Sequence, residues 1–153
     1  MVKIMKFLFP ILVLLLSFTS CEDIEQTRTD QLNIDLKLID QYVSDQNLVM
    51  KKTDDPIYYL VEQPGTSEHP QLQHTVTVKY KGYFLDGTEF DSGNEVDIEL
   101  YNTIEGWQIA LPLIGIGGIM KVIIPSEFAY AGNEIEGRKN AVLAFDIELI
   151  NFK

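Results

Sequence analysis

Hydrophobic residues recur along this chain with two periods, and in one place they run without interruption. Leu32, Leu36, Ile39 and Val43 fall four, three and four positions apart, which marks one face of an α-helix. With Thr29 or Asp30 as the N-cap, the spacing predicts a helix over residues 30–46 that packs its stripe on the domain or on a partner. Asp54-Asp55-Pro56 then breaks the chain, and IYYLVE reads as a strand rich in β-formers. After a loop marked by Pro64-Gly65 and His69-Pro70, the period becomes two: Val76, Val78 and Tyr80 face one way, Thr77, Lys79 and Lys81 the other. Asp86-Gly87 supplies a tight reversal, a short strand ends at Phe90, and Val96, Ile98 and Leu100 alternate in another. Near the C-terminus Leu143, Phe145, Ile147 and Leu149 alternate with Ala144, Asp146 and Glu148. EGWQIAL, stopped by Pro112, predicts one helix of two turns, and the GIGG run leads from it into the strand IMKVIIP. These elements compose an α+β fold, an antiparallel sheet curling over one short helix. The connection over residues 126–140 is long enough to carry function.

The uninterrupted run is FLFPILVLLLSF, preceded by Lys3 and Lys6 and followed by Thr19, Ser20 and Cys21. That layout predicts a secretory leader, too short for a comfortable membrane span. Thr19-Ser20-Cys21 resembles the lipobox of bacterial lipoproteins, with Phe18 where leucine is usual. Residues 1–20 are therefore expected to be removed, leaving Cys21 as a lipidated first residue and residues 21–29 as a polar tether. The domain would stand outside the cytoplasm, in the bacterial envelope, on the outer membrane or the periplasmic face. Cys21 is the single cysteine, so no intrachain disulfide can form and the core alone must hold the exported domain.

Charge narrows the partners. The chain has 12 basic and 23 acidic residues, a net −11, which argues against a nucleic-acid surface. Loss of Lys3 and Lys6 with the leader leaves 10 basic residues against 23 acidic ones, or −13, which discourages adsorption to an anionic bilayer. Two histidines in or beside one loop, His69 and His74, offer neither a catalytic triad nor metal-ligand spacing. GIGG lacks the Lys-Ser/Thr of a phosphate loop. What stands out is a set of aromatics at strand ends and at the helix start, Tyr80, Phe90, Trp107, Tyr130 and Phe145, which by pattern alone read as core.

Order and spacing add a resemblance. VKYKGYFLDGTEFDSG, EGW, a glycine turn, IIPSEFAYAG and LAFDIEL resemble, over residues 72–153, the FKBP-type peptidyl-prolyl cis-trans isomerases. The lipobox and the preceding helix, residues 30–71 with the leading strand, are similar to lipid-anchored bacterial members, among them lipoproteins associated with gliding motility. The resemblance implies a half-barrel over one short helix and a proline-binding pocket. Trp107 would be its floor, and Tyr80, Phe90 and Phe145 its walls. The Ile104 N–H would bond one substrate carbonyl and the Tyr130 hydroxyl another, Asp91 would orient the rim with Tyr80, and Thr103 would lie beside the pocket where valine is usual. No cofactor or metal is implied; the partners would be proline-containing polypeptides, the membrane through Cys21, and macrolide FKBP ligands. Some positions depart from the family: Gly137-Arg138-Lys139 stands where Ile-Pro-Pro is usual, Val96 and Ile98 replace bulky aromatics, and the stretch from Leu100 to Trp107 is shorter. A shallower, more polar rim follows, with Arg138 and Lys139 either favouring acidic segments beside the proline or solvated in a loop. Two functions remain open at this point: an isomerase assisting the folding of exported proteins, and a non-catalytic binding module in an envelope assembly.

Overall fold

The structure, a computed structural model, describes residues 19–153, with side chains from Glu25 onward. The apolar leader and the side chain of Cys21 lie outside the described residues. Helix α1 (Thr19–Asp45) begins well before Asp30, so the stretch expected as a tether is helical and Thr29 is not its cap. From Glu25 to Asp30 the residues are exposed, so this part of the helix needs no apolar stripe; it has no Gly or Pro, and polar pairs one turn apart support it. Gln26 donates to Asp30 at 2.9 Å, and the Thr29 hydroxyl donates to the Glu25 carbonyl at 3.0 Å. After the helix ends at Asp45, Asn47 adopts the left-handed region (φ 51°), with the Leu48 N–H returning to the Val43 carbonyl at 3.0 Å.

Strands β1 (Lys51–Lys52), β2 (Tyr58–Gln63), β3 (Thr75–Phe84) and β4 (Glu89–Glu99) follow. Helix α2 (Glu105–Ala110) then runs into a 3₁₀ turn at Leu111–Leu113 that contains Pro112, and β5 (Gly118–Ile124) and β6 (Leu143–Phe152) complete the chain. All six strands join one antiparallel sheet in the order β1-β2-β5-β6-β3-β4. Its inner face, with Val76, Val78, Met120, Val122, Ile124 and Leu149, closes on Trp107, Ala110 and Leu111 of α2 and its 3₁₀ extension. The outer face presents Tyr58, Tyr83, Ile123 and Ala144 to Ile39, Leu36 and Val43 of α1. The stripe on α1 thus packs on its own domain, and the sheet lies between two helices. Ile39 is fully buried there, which stabilises the docking by about 2 kcal/mol. Two strands expected on either side of Phe90 and Val96 form the single strand β4, interrupted by two bulges against β3.

Candidate active site

The bulges explain how neighbouring residues reach one cavity. Gly82 pairs with Asp91 and Tyr83 with Glu89, so Phe90 is the extra residue on β4. In a regular strand Phe90 and Asp91 would point to opposite faces; the bulge re-aims them, and both line the same cavity. A second extra residue falls between Gly93, opposite Tyr80, and Val96, opposite Val78, where Glu95 adopts φ 56°. Under the walls the backbone is kept bare: a Cβ on Gly82 would come within 2.8 Å of both the Phe90 and the Phe145 rings.

The cavity, about 630 Å³, opens between β3, β4, α2 and the loop after β5. All eight residues expected at the pocket line it: Tyr80, Phe90, Asp91, Thr103, Ile104, Trp107, Tyr130 and Phe145. Trp107 is 4% exposed on the first turn of α2 and meets Tyr80 (centroids 5.1 Å, 87°) and Phe145 (5.3 Å, 82°) edge to face. Phe90 stands edge-on to Phe145 at 5.6 Å and is backed by Phe84 at 5.1 Å. Interlocked in this way, the rings hold one another upright, each contact adding about 0.5–1.5 kcal/mol beyond burial. The Trp107 indole N–H is buried and has no hydrogen-bond partner among the described residues, so the floor engages no polar group of theirs.

Polar groups sit at the rim. The Tyr80 hydroxyl donates to Asp91 Oδ2 at 2.7 Å, and the Ser92 N–H donates to Asp91 Oδ1 at 2.9 Å. Burial first, then the Asp91 carboxylate, pushes the Tyr80 hydroxyl up to about 12. Ile104 is the N-cap of α2; its carbonyl accepts from the Trp107 N–H at 3.0 Å, while its own N–H donates to nothing among the described residues. Tyr130 is 45% exposed on the loop after β5, and its hydroxyl is likewise without a hydrogen bond among the described residues. The Thr103 hydroxyl is occupied, donating to the Leu100 carbonyl at 2.7 Å.

Asn102, Glu105, Gln108 and Ala129 also line the cavity and were not expected there, and so does Ile98, one of the two residues expected to make the rim shallower. Gln108 fastens the wall by donating to the Thr103 carbonyl at 2.8 Å and the Tyr101 carbonyl at 3.2 Å. Only its position one residue after the helix tryptophan signals that in the sequence. Gly137-Arg138-Lys139 contributes nothing to the lining. A small turn, bridged between Ile135 and Arg138 with Glu136 (φ 47°) and Gly137 (φ 79°) at its tip, carries Arg138 onto the Phe84 ring at 4.0 Å. There Arg138 pairs with Asp86 at 2.8 Å, both side chains being partly exposed. The Asp86 carboxyl falls to about 2, through the Thr88 backbone N–H first, then the Thr88 hydroxyl and Arg138. Both histidines have structural contacts: His69 Nδ1 lies 2.8 Å from the Pro112 carbonyl oxygen, and His74 stacks on Phe152 at 5.1 Å.

A sheet wrapped over a short helix thus forms a half-barrel whose aromatic cavity is rimmed by an N–H and a hydroxyl that are unengaged among the described residues. The chain belongs to the FKBP-type peptidyl-prolyl cis-trans isomerase family, whose sequence profile matches residues 66–150. It is 38% identical over 107 residues to the FKBP-type peptidyl-prolyl cis-trans isomerase FkpA of Buchnera aphidicola, covering 67% of this chain and 44% of that protein. To the outer membrane protein MIP of Legionella longbeachae it is 35% identical over 103 residues, covering 63% and 44%. The chain thus spans less than half the length of these relatives. Among solved structures, FkpA from Escherichia coli superposes with a TM-score of 0.70 at 30% identity, over 87% of this chain and 64% of that one. A peptidyl-prolyl cis-trans isomerase from Pseudomonas syringae gives 0.69 at 28%, over 79% and 95%.

Proposed function

We propose that this protein is a peptidyl-prolyl cis-trans isomerase that acts on exported or envelope polypeptides from a lipid tether at Cys21, in the bacterial envelope. The observation that carries the reading is the cavity itself: an aromatic floor and walls with unengaged hydrogen-bonding groups at its edge. Rotation about an X-Pro amide must break resonance against a barrier of about 18–20 kcal/mol. A prolyl ring seated on Trp107 between Tyr80, Phe90 and Phe145 places that amide in a dry, apolar space. The planar, zwitterionic ground state loses more by leaving water than the twisted state does, so the barrier falls. The Ile104 N–H and the Tyr130 hydroxyl hold carbonyls flanking the bond, and Asp91, fixed by Tyr80 and Ser92, sets the rim. Protein groups alone accomplish this, without a cofactor or metal. The same cavity is a candidate receptor for macrolide FKBP ligands.

The test is isomerisation of a panel of X-Pro peptides by the chain from Glu22 onward, with Asp91→Leu beside it. Acceleration by the parent chain and a loss of about tenfold to a hundredfold in kcat/KM on substitution is the expected result. One observation favours a second reading: residues 137–139 take no part in lining the cavity. If the chain binds proline peptides without accelerating their exchange, it is a docking module in an envelope assembly.

A further inference from the structure

Among the described residues Asp35 and Ser126 are the two buried polar side chains, at 0% and 1% exposure, and they are bonded to each other. Asp35 Oδ2 accepts from the Ser126 N–H at 2.8 Å and from the Ser126 hydroxyl at 2.6 Å, while Oδ1 accepts from Gln31 at 2.7 Å. A carboxylate taken out of water on the inner side of α1 is costly unless several donors meet it, and here three do. Ser126 opens the 3₁₀ turn Ser126–Phe128, and its carbonyl in turn accepts the Ala129 N–H at 3.1 Å and the Ala131 N–H at 2.7 Å. Those two residues bracket Tyr130. The hydrogen bonds therefore form one unbroken path from α1 through Ser126 to the residue whose free hydroxyl stands at the cavity rim. Two outer ties run parallel to it: Arg28 pairs with Glu127, and Asn140 donates to Gln31 at 3.1 Å.

The geometry points to Asp35 as a positioning residue for Tyr130, so that α1, outside the catalytic half-barrel, sets the substrate-carbonyl contact at the rim. This rests on the isomerase reading for its catalytic consequence but not for the linkage itself. Asp35 does not touch the cavity and acts only through the Ser126 turn. Removing its carboxylate orphans a buried N–H and frees the turn, while Tyr130 and the aromatic box stay chemically intact.

The experiment is a double-mutant cycle of Asp35→Ala and Tyr130→Phe, read in kcat/KM on an X-Pro peptide, with amide hydrogen exchange at Ala129 and Ala131 measured on the same proteins. Asp35→Ala is expected to lower kcat/KM about tenfold in the parent and less than about twofold in the Tyr130→Phe background, because coupled residues are not additive. Asp35→Asn, which keeps an acceptor for the Ser126 N–H, is expected to recover most of the loss. Equal losses in both backgrounds, or no loss, would overturn the proposal. Should Asp35→Ala not fold, Ser126→Ala takes its place in the cycle, removing one of the two bonds. If the parent chain turns over no peptide, the isomerase reading fails alone, and exchange decides the linkage. Faster exchange at Ala129 and Ala131, with β6 amides unchanged, supports it; unchanged exchange at those two sites overturns it.

Discussion

Tyr80 shows how one side chain ties site to stability. Its hydroxyl is held near 12 because burial and the Asp91 carboxylate both favour the neutral form. A raised value in the folded chain means that the contribution is fully present below the ordinary tyrosine value near 10 and is lost as pH climbs towards 12. Resistance to urea is therefore expected to fall between about pH 10 and pH 12, and Tyr80→Phe to flatten part of that fall. Tyr58 and Tyr83, raised by burial as well, contribute to the same fall. A urea midpoint measured against pH in both proteins checks this; identical slopes would mean that Tyr80 is not held neutral by the fold. The same hydroxyl gives activity no pH dependence near neutrality. At this scale the eight pocket residues were legible because their order along the chain matches a family, not because any periodicity marked them. Asp35 was not legible: an acidic residue on a polar helix looks solvated until the helix is docked, and its partner lies 91 positions away.

Strand β4 is the element where pattern reading fell short, and the reason is physical. An extra residue in a strand resets the alternation, so a doubly bulged strand reads as two short ones. The bulge at Phe90 is also what the site needs, since it turns Phe90 and Asp91 the same way. Glu95 occupies the second bulge at φ 56°, a conformation that costs a non-glycine residue about 1–2 kcal/mol. Glu95→Gly is expected to stabilise the protein by about 0.5–1 kcal/mol, the relief being partly offset by the greater flexibility of an unfolded glycine. Glu95→Ala, which keeps the strained backbone, is expected to give no such gain, and neither should change kcat/KM beyond about twofold. Chemical denaturation of the three proteins measures it; a destabilised glycine variant would show that Glu95 is held by contacts rather than tolerated by strain. Helix α1 illustrates the complementary case. Its stripe from Leu36 to Val43 was legible because it covers the sheet, while its polar first turns were not, since a solvated helix leaves no hydrophobic signature.

For the whole molecule, the tether and the charge act together. Among the described residues no helix is long and apolar enough to cross a membrane. If the leader is removed as proposed, the remaining chain, with 10 basic and 23 acidic residues, would be repelled by anionic headgroups, leaving acyl chains on Cys21 as the attractive term, at about 0.8 kcal/mol per buried methylene. The segment after Cys21 is helical rather than loose, and at about 1.5 Å per residue it places roughly 20 Å of helix between the anchor and Asp35. On the proposed lipid anchor, a helical spacer of this kind would hold the cavity at a set distance from the bilayer instead of letting it roam, through the same helix that bonds the Tyr130 loop. Cys21→Ser expressed in a bacterial host is expected to move the protein from the membrane fraction to the soluble periplasmic fraction with kcat/KM unchanged. The unacylated protein is expected not to bind vesicles containing anionic lipid at physiological salt. Retention of Cys21→Ser in the membrane fraction would show that an uncleaved leader, not an acylated cysteine, is the anchor.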